Sequence, residues 1–217
     1  MGKGMLPRVT FGIIVLNGEP VTRYCLRSLY PFAHEIIVVE GACYGAACVA
    51  TQDGHSTDDT LDVIRQFQDH EDPVDKVTLL TAEDVGHPNG FWPGEKHEQS
   101  REYAERATGD YLWQVDIDEF YRQEDMRSVL AMLRDDPDIT AVSFPQMTFW
   151  ASPGIEVDGW YLRRGARQFH RLFKFGNGYT YKSHRPPTVF DDRDRDLRTL
   201  KWMDAAQMEQ QGIYLYH

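Results

Sequence analysis

Near-continuous apolar runs alternate with helical stripes along the first two thirds of this chain. Residues 9–16 (Val-Thr-Phe-Gly-Ile-Ile-Val-Leu) show no polar alternation, the mark of a strand covered on both faces. Asn17-Gly18-Glu19-Pro20 follows as a turn, with Pro20 placed to open a helix whose stripe is Val21, Cys25, Leu26 and Leu29 before Pro31 stops it. Residues 35–39 (Glu-Ile-Ile-Val-Val) predict a second buried strand ending on Glu40-Gly41, so a parallel right-handed crossover is expected. A small-residue loop, 42–52, leads to Asp53-Gly54-His55-Ser56-Thr57-Asp58-Asp59-Thr60. Its hydroxyls and acids open a helix carrying Leu61, Ile64 and Phe67.

The alternation continues with a short strand at 77–80 and a Gly/Pro-rich polar segment at 83–95. A helix from Lys96 to Ala107 follows, ended by Gly109. The run 111–115 (Tyr-Leu-Trp-Gln-Val) predicts a strand that delivers Asp116, Asp118 and Glu119 at its carboxyl end. Met126, Val129, Leu130 and Leu133 mark a further helix, and 140–144 a further strand. Beyond Pro145 aromatic and basic residues mix. The stretch 167–175 alternates roughly before Gly176-Asn177-Gly178 and predicts an antiparallel hairpin. Residues 191–198 read as a mobile solvated loop, 201–211 as a helix, and 213–216 as a last strand. The pattern is α/β: a sheet with helices on both faces and acids at strand ends.

Composition adds exclusions. A formal net charge of −11 over 217 residues argues against a nucleic-acid partner, which needs a basic footprint. No run approaches the ~20 apolar residues of a membrane span, so no transmembrane segment is expected. Cys25, Cys43 and Cys48 lack zinc-like spacing and read as free thiols in a reducing compartment, giving a cytoplasmic expectation with peripheral membrane attachment left open.

The candidate chemistry lies at 116–119. In an extended segment Asp116 and Asp118 point the same way, and ligands of open α/β sheets bind outside the carboxyl ends of strands. Converging hard oxygens suit Mg²⁺ or Mn²⁺. The alternative is a strand running into an acidic, solvated turn. Glu119, turned the other way, reads as a supporting or salt-bridging carboxylate.

Residues 9–17 with Glu19, 36–41, 53–60 and 107–119 together resemble non-processive family 2 glycosyltransferases with the GT-A fold (nucleotide-diphospho-sugar transferase, Rossmann-like). Arg171-Leu172-Phe173-Lys174 through Tyr181-Lys182-Ser183-His184 resembles their acceptor-side strands. The resemblance implies one domain over 1–217, with a nucleotide-sugar half at 1–120 and an acceptor half at 121–217. It implies transfer of a single sugar from a UDP- or GDP-sugar, with inversion, to a sugar, glycan, lipid, protein or other small-molecule acceptor. Single transfer is expected because the Gln-x-x-Arg-Trp signature of processive synthases is missing.

By the same resemblance Leu16, Asn17, Glu19 and Glu40 line the nucleoside pocket, and Lys96 with Gln99 meets a donor phosphate. Asp116 reaches the ribose or a Mn²⁺ or Mg²⁺ ion, and Asp118 ligates that ion directly. His217 and His184 are the candidates for a third ligand. An inverting transfer needs a general base, for which Asp158, His184 and Asp191 are candidates. Arg163, Arg164, Arg167 and Arg171 are open between diphosphate, an anionic acceptor and solvent. Trp92, Trp150 and Trp160 are open between sugar stacking and core packing.

Three positions depart from the family pattern. The acid after the second strand is Glu40 rather than Asp, loop 42–52 and His55 interrupt the signature that usually follows it, and Arg185 stands where a Glu follows the histidine. Rival readings are a sugar- or nucleotide-binding domain without chemistry, a Mg²⁺-dependent phosphatase and a nucleotidyltransferase. Phe120 at the expected Thr weakens the phosphatase, and Asn17-Gly18-Glu19-Pro20 lacks the basic Gly-rich loop of the nucleotidyltransferase.

Overall fold

A computed structural model describes residues 5–149 and 168–217 in full, and residues 150 and 152–156 by backbone alone. The strands in chain order are β1 (Val9–Val15), β2 (Glu35–Glu40), β3 (Val77–Leu80), β4 (Tyr111–Asp116), β5 (Ala141–Phe144), β6 (Gln146–Met147), β7 (Phe149–Trp150) and β8 (Ser152–Glu156). They continue with β9 (Phe169–Lys174), β10 (Thr180–His184), β11 (Pro187–Phe190), β12 (Trp202–Met203) and β13 (Leu215–Tyr216). The helices are α1 (Thr22–Leu29), α2 (Thr60–Glu71), α3 (Lys96–Arg106), α4 (Gln123–Asp135) and α5 (Ala205–Gln210).

Seven strands form one mixed sheet in the order β12-β5-β9-β4-β1-β2-β3. β1 pairs in parallel with both β2 and β4, while β9 runs antiparallel between β4 and β5. The period of two splits β1 between faces. Val9, Phe11, Ile13 and Val15 join α1, α2 and α4 in one buried cluster, led by Leu26, Phe67 and Leu130. On the other face Ile37, Val39 and Leu112 pack with Tyr103 of α3 and with Tyr181 and Val189 of β10 and β11. Gly12 permits that second packing: a Cβ there would lie 2.3 Å from the Tyr103 ring.

Strands β1 to β4 and the helices between them lie where the hydrophobic pattern puts them. Three expectations in the last third change. The stretch at 167–175 is an antiparallel strand, but its partners are β4 and β5 rather than the strand after Gly176-Asn177-Gly178; β10 pairs with β11 instead. Long-range burial of Leu172 and Phe173 against the sheet outweighs the local turn. The segment 191–198 is pinned rather than mobile. The buried Asp191 carboxylate accepts the backbone N–H groups of Arg193 and Arg195 at 3.0 and 2.9 Å, and Leu197 is fully buried. The helix expected over 201–211 is confined to α5, opened by an Asp204–Gln207 capping box, because Trp202 and Met203 pair with β5.

Candidate active site

β1 sends its chain through α1 to β2 on one side, whereas β4 arrives on its other side from α3, which packs on the opposite face. The sheet therefore reverses its winding between β1 and β4, and the crevice outside their carboxyl ends is where such sheets bind ligands. A cleft of about 360 Å³ opens there, and its lining includes Leu16, Lys96, Gln99, Asp116, Asp118 and His217. A larger cavity of about 660 Å³ lies at the amino ends of the same strands, where Arg8 and Asp110 pair with each other. It is on the wrong edge for the acid cluster.

The acid turn is built by its own backbone. β4 ends at Asp116, and the Glu119 N–H donates to the Asp116 carbonyl at 2.9 Å, folding Ile117 and Asp118 over the strand end. This turn, rather than strand alternation, brings both aspartates to one cleft. Glu119 drops beneath it, almost fully buried, and accepts the Asp116 N–H at 3.1 Å and the Arg171 Nε at 2.8 Å. Arg171 also donates to Asp116 Oδ2 at 3.1 Å, so one buried guanidinium from β9 ties the first aspartate to the third carboxylate. Burial pushes the Glu119 carboxyl up, against the pull of Arg171. Arg171 is thus held between Glu119 and Asp116 rather than left to solvent.

β13 lies parallel to β6, and Phe120 and Tyr216 exchange backbone hydrogen bonds at 2.8 and 2.9 Å. This seats His217 with its Nε2 3.2 Å from Asp118 Oδ2. The hydrogen bond from His217 holds the Asp118 carboxyl below its ordinary range, and the same contact raises the imidazole. Among the described residues no three His, Cys, Asp or Glu side chains converge as a ready-made cage. Asp118 and His217 fit the other kind of site: Mg²⁺ or Mn²⁺ held by one or two protein donors, with remaining positions left to phosphate oxygens and water. Asp116 is near but already engaged by Arg171.

The donor-side residues divide. Leu16, Lys96 and Gln99 line the cleft, Gln99 donating to the Gly41 carbonyl at 2.8 Å. Asn17, Glu19 and Glu40 are not in its lining. The Asn17 side chain instead accepts the Thr57 N–H at 2.7 Å and donates to the Val49 carbonyl at 2.7 Å, stitching the inserted loop to β1. Glu19 meets Asp58 through its backbone N–H at 3.0 Å. Glu40 is fully buried, its carboxylate accepting Ser56 N–H and Oγ at 2.8 Å and facing His55 Nδ1 at 2.8 Å. The extra methylene and the inserted His55 turn this acid into the loop, and the cleft meets Gly41, Ala42 and Cys43 instead. His55 also faces Glu83 at 3.2 Å. Burial pulls its pKa down, but the two carboxylates outweigh that and leave it raised.

Two base candidates are engaged by neighbouring groups of the protein. Asp191 is consumed by Arg195 and its own loop. His184 is buried, with Nδ1 2.9 Å from Ser100 Oγ and 3.4 Å from Gln114 Nε2. Gln114 Oε1 accepts the Tyr181 hydroxyl, so the amide NH₂ faces His184 and makes Nδ1 an acceptor. The proton of the neutral ring then sits on Nε2, so His184 presents an N–H donor there. Burial pushes its pKa down to about 4, the Asp116 charge opposing. Asp158, Trp160, Arg163, Arg164 and Arg167 lie outside the described residues, as does the Trp150 side chain. Trp92 is core: fully buried, it donates Nε1–H to the Glu40 carbonyl at 2.8 Å. Sequence reasoning missed the Ser100–His184–Gln114 network, although a lone glutamine inside an apolar strand run was a usable signal.

No family model matches the chain. A SPbeta prophage-derived glycosyltransferase, SunS of Bacillus subtilis (strain 168), is 26% identical over 171 residues, covering 78% of this chain and 32% of the relative. The glycosyltransferase SunS of Bacillus phage SPbeta matches equally. This chain therefore spans about a third of the length of these relatives. Among solved structures, the mannosyltransferase PcManGT from Pyrobaculum calidifontis, in complex with GDP-Man and Mn²⁺, superposes with TM-score 0.50 at 21% identity, covering 78% of this chain and 45% of that one. Glucosyl-3-phosphoglycerate synthase from Mycobacterium tuberculosis, with Mn²⁺, UDP and glucosyl-3-phosphoglycerate, gives TM-score 0.50 at 14% identity over 77% of this chain and 57% of that one. The fold is that of the GT-A glycosyltransferases. Within this GT-A sheet the cleft sits at the β1–β4 reversal, and a second cavity of about 400 Å³ adjoins it beyond Asp116 and His217, lined by Gln146, Phe169, Arg171 and Pro187. Among the described residues no helix is long and apolar enough to cross a membrane.

Proposed function

We propose that this chain is the donor-binding and catalytic part of a glycosyltransferase that moves one sugar from a nucleotide-diphosphate sugar to an acceptor. The observation carrying this is the convergence of Asp118 and His217 at 3.2 Å in the crevice between β1 and β4, with Lys96 lining the same cleft. The solved relatives that share the fold hold GDP-Man with Mn²⁺, or UDP with Mn²⁺, which supports a nucleoside-diphosphate donor here. The base preference stays between uridine and guanosine, because Glu40, the usual acid of the nucleoside pocket, is turned into its own loop.

In this reading Asp118 and His217 would hold Mn²⁺ or Mg²⁺, which would supply Lewis-acid stabilisation to the charge that grows on the leaving diphosphate. Lys96 adds a fixed positive charge to the same phosphates, and Arg171 keeps Asp116 aimed at the ribose side of the cleft. The cavity lined by Gln146, Phe169, Arg171 and Pro187 receives the hydroxyl-bearing end of the acceptor. Transfer with inversion also needs a general base within reach of the acceptor hydroxyl.

Thermal unfolding with UDP, GDP, CMP or dTDP, each with and without Mn²⁺, tests the donor assignment. One diphosphate is expected to stabilise the protein only with the metal. The gain is about 2.7 kcal/mol at a ligand concentration a hundredfold above Kd, or roughly 5–10 °C at this chain length. Asp118→Ala should abolish it. Stabilisation by no nucleotide, or stabilisation indifferent to Mn²⁺, would refute the reading.

A further inference from the structure

We propose that the cavity on the far side of the Lys96–Arg185 wall is a second anion site, holding the phosphate or carboxylate of the acceptor. This cavity, of about 660 Å³, is distinct from the donor cleft but shares Lys96 and Arg185 with it. Neither Asp116 nor Asp118 lines it, whereas His184 and Lys182 do.

Three independent features give it anion chemistry. The first is charge. In a chain of net charge −11, the lining carries Lys96, His97, Lys182 and Arg185 against the single acid Glu95. Elsewhere Arg8, Arg27, Arg101, Arg106, Arg195 and Arg198 each hold a carboxylate. Among the described residues neither Arg185 nor Lys96 makes a hydrogen bond or ion pair with any protein group. His97 is tied to Glu98, and Lys182 sits at the rim 3.8 Å from the exposed Asp194.

The second feature is buried. His184 is only 5% exposed and lines both this cavity and the one beyond Asp116, and its Nδ1 is taken by Ser100 and Gln114, which leaves the Nε2–H as an unpartnered donor. The third is the start of α3, an 11-residue helix whose cap residue Glu95 makes no side-chain hydrogen bond to the first turn. Its amino end adds partial positive charge beside the two free cations.

A guanidinium, an ammonium, an imidazole N–H and a helix amino end are a donor set for phosphate or carboxylate oxygens. The departure at Arg185 acquires a reason: a carboxylate at that position would cancel the site. The word acceptor rests on the transferase reading, whereas the anion site rests on its own residues.

Calorimetric titration of the whole chain with inorganic phosphate, glycerol 3-phosphate and neutral glycerol tests this. Each titration is run without metal and then with saturating UDP or GDP and Mn²⁺. Phosphate and glycerol 3-phosphate are expected to bind and glycerol not. Saturating nucleotide, which draws on Lys96 from the donor side, should weaken the phosphate Kd by no more than about tenfold without displacing it, and Arg185→Ala should weaken phosphate about tenfold. Arg185 is exposed, so folding of that variant is not at issue. Displacement of phosphate by the nucleotide would assign the cations to the donor alone and overturn the proposal. An unchanged affinity in Arg185→Ala, or no phosphate binding, would also overturn it. Arg185-dependent phosphate binding in a protein that binds no nucleotide would uphold the anion site while sinking the transferase reading.

Discussion

Glu119 and Arg171 show how much of the site is support rather than contact. Their ion pair is buried, with Arg171 7% exposed and Glu119 1%. Removing one partner of such a pair strands a charge away from water and costs about 3–5 kcal/mol, whereas replacing both by packed apolar groups is often neutral. Arg171→Met is expected to destabilise the chain by about that amount in urea unfolding, and the double variant Arg171→Met/Glu119→Leu to recover most of it. A double variant as unstable as the single one would show that the pair is not the stabilising unit. Asp118, half exposed at the rim, is legible in sequence because a strand-end acid cluster needs only local spacing. Glu40 is not, because its direction is decided by how residues 42–59 fold back over it. His184 is legible as a polar residue near the site but not as a donor. Its tautomer depends on Ser100, Gln114 and Tyr181, which are far away in sequence.

The join between α2 and β3 carries a pH-dependent contribution to stability. Asp72, 6% exposed, accepts the N–H of Lys76 at 2.8 Å and of Val77 at 2.7 Å, and the Tyr30 hydroxyl at 2.8 Å. Burial pushes its carboxyl up, but these donors outweigh burial and hold the pKa below the ordinary value. A folded pKa below the unfolded value of about 3.9 means stability that is full above that value and lost as pH falls through the folded pKa. Asp72→Asn should therefore cost about 1–3 kcal/mol at pH 7, with the difference from wild type shrinking as pH drops from about 5 towards 2. A difference independent of pH would put the effect in packing rather than in the carboxylate. The first five sheet strands and their helices were legible because apolar runs and helical stripes report burial directly. The last third was not, since β9, β12 and β13 take partners 25 to 69 residues away, and local alternation says nothing about which strand is met.

At the scale of the molecule, the first and last parts of the chain share one site. Asp118 follows β4, His217 follows β13, and their contact spans 99 positions of sequence. The clasp between them is the reciprocal Phe120–Tyr216 backbone pair, so opening the β13 edge separates the two proposed ligands. A ligand held by both parts must then oppose that opening, because anything that binds only the closed form stabilises it by mass action. Amide hydrogen exchange reads this directly. Mn²⁺ with the stabilising nucleotide, at a hundredfold above Kd, should slow exchange at Phe120 and Tyr216 by about a hundredfold. Amides of β3, on the opposite edge of the sheet, should change only where they exchange by global unfolding. In His217→Ala, where the last part no longer supplies a ligand, the nucleotide should still bind more weakly but Tyr216 should lose its selective protection. Equal protection of Tyr216 in wild type and His217→Ala would mean that β13 closes the sheet without helping to hold the ion.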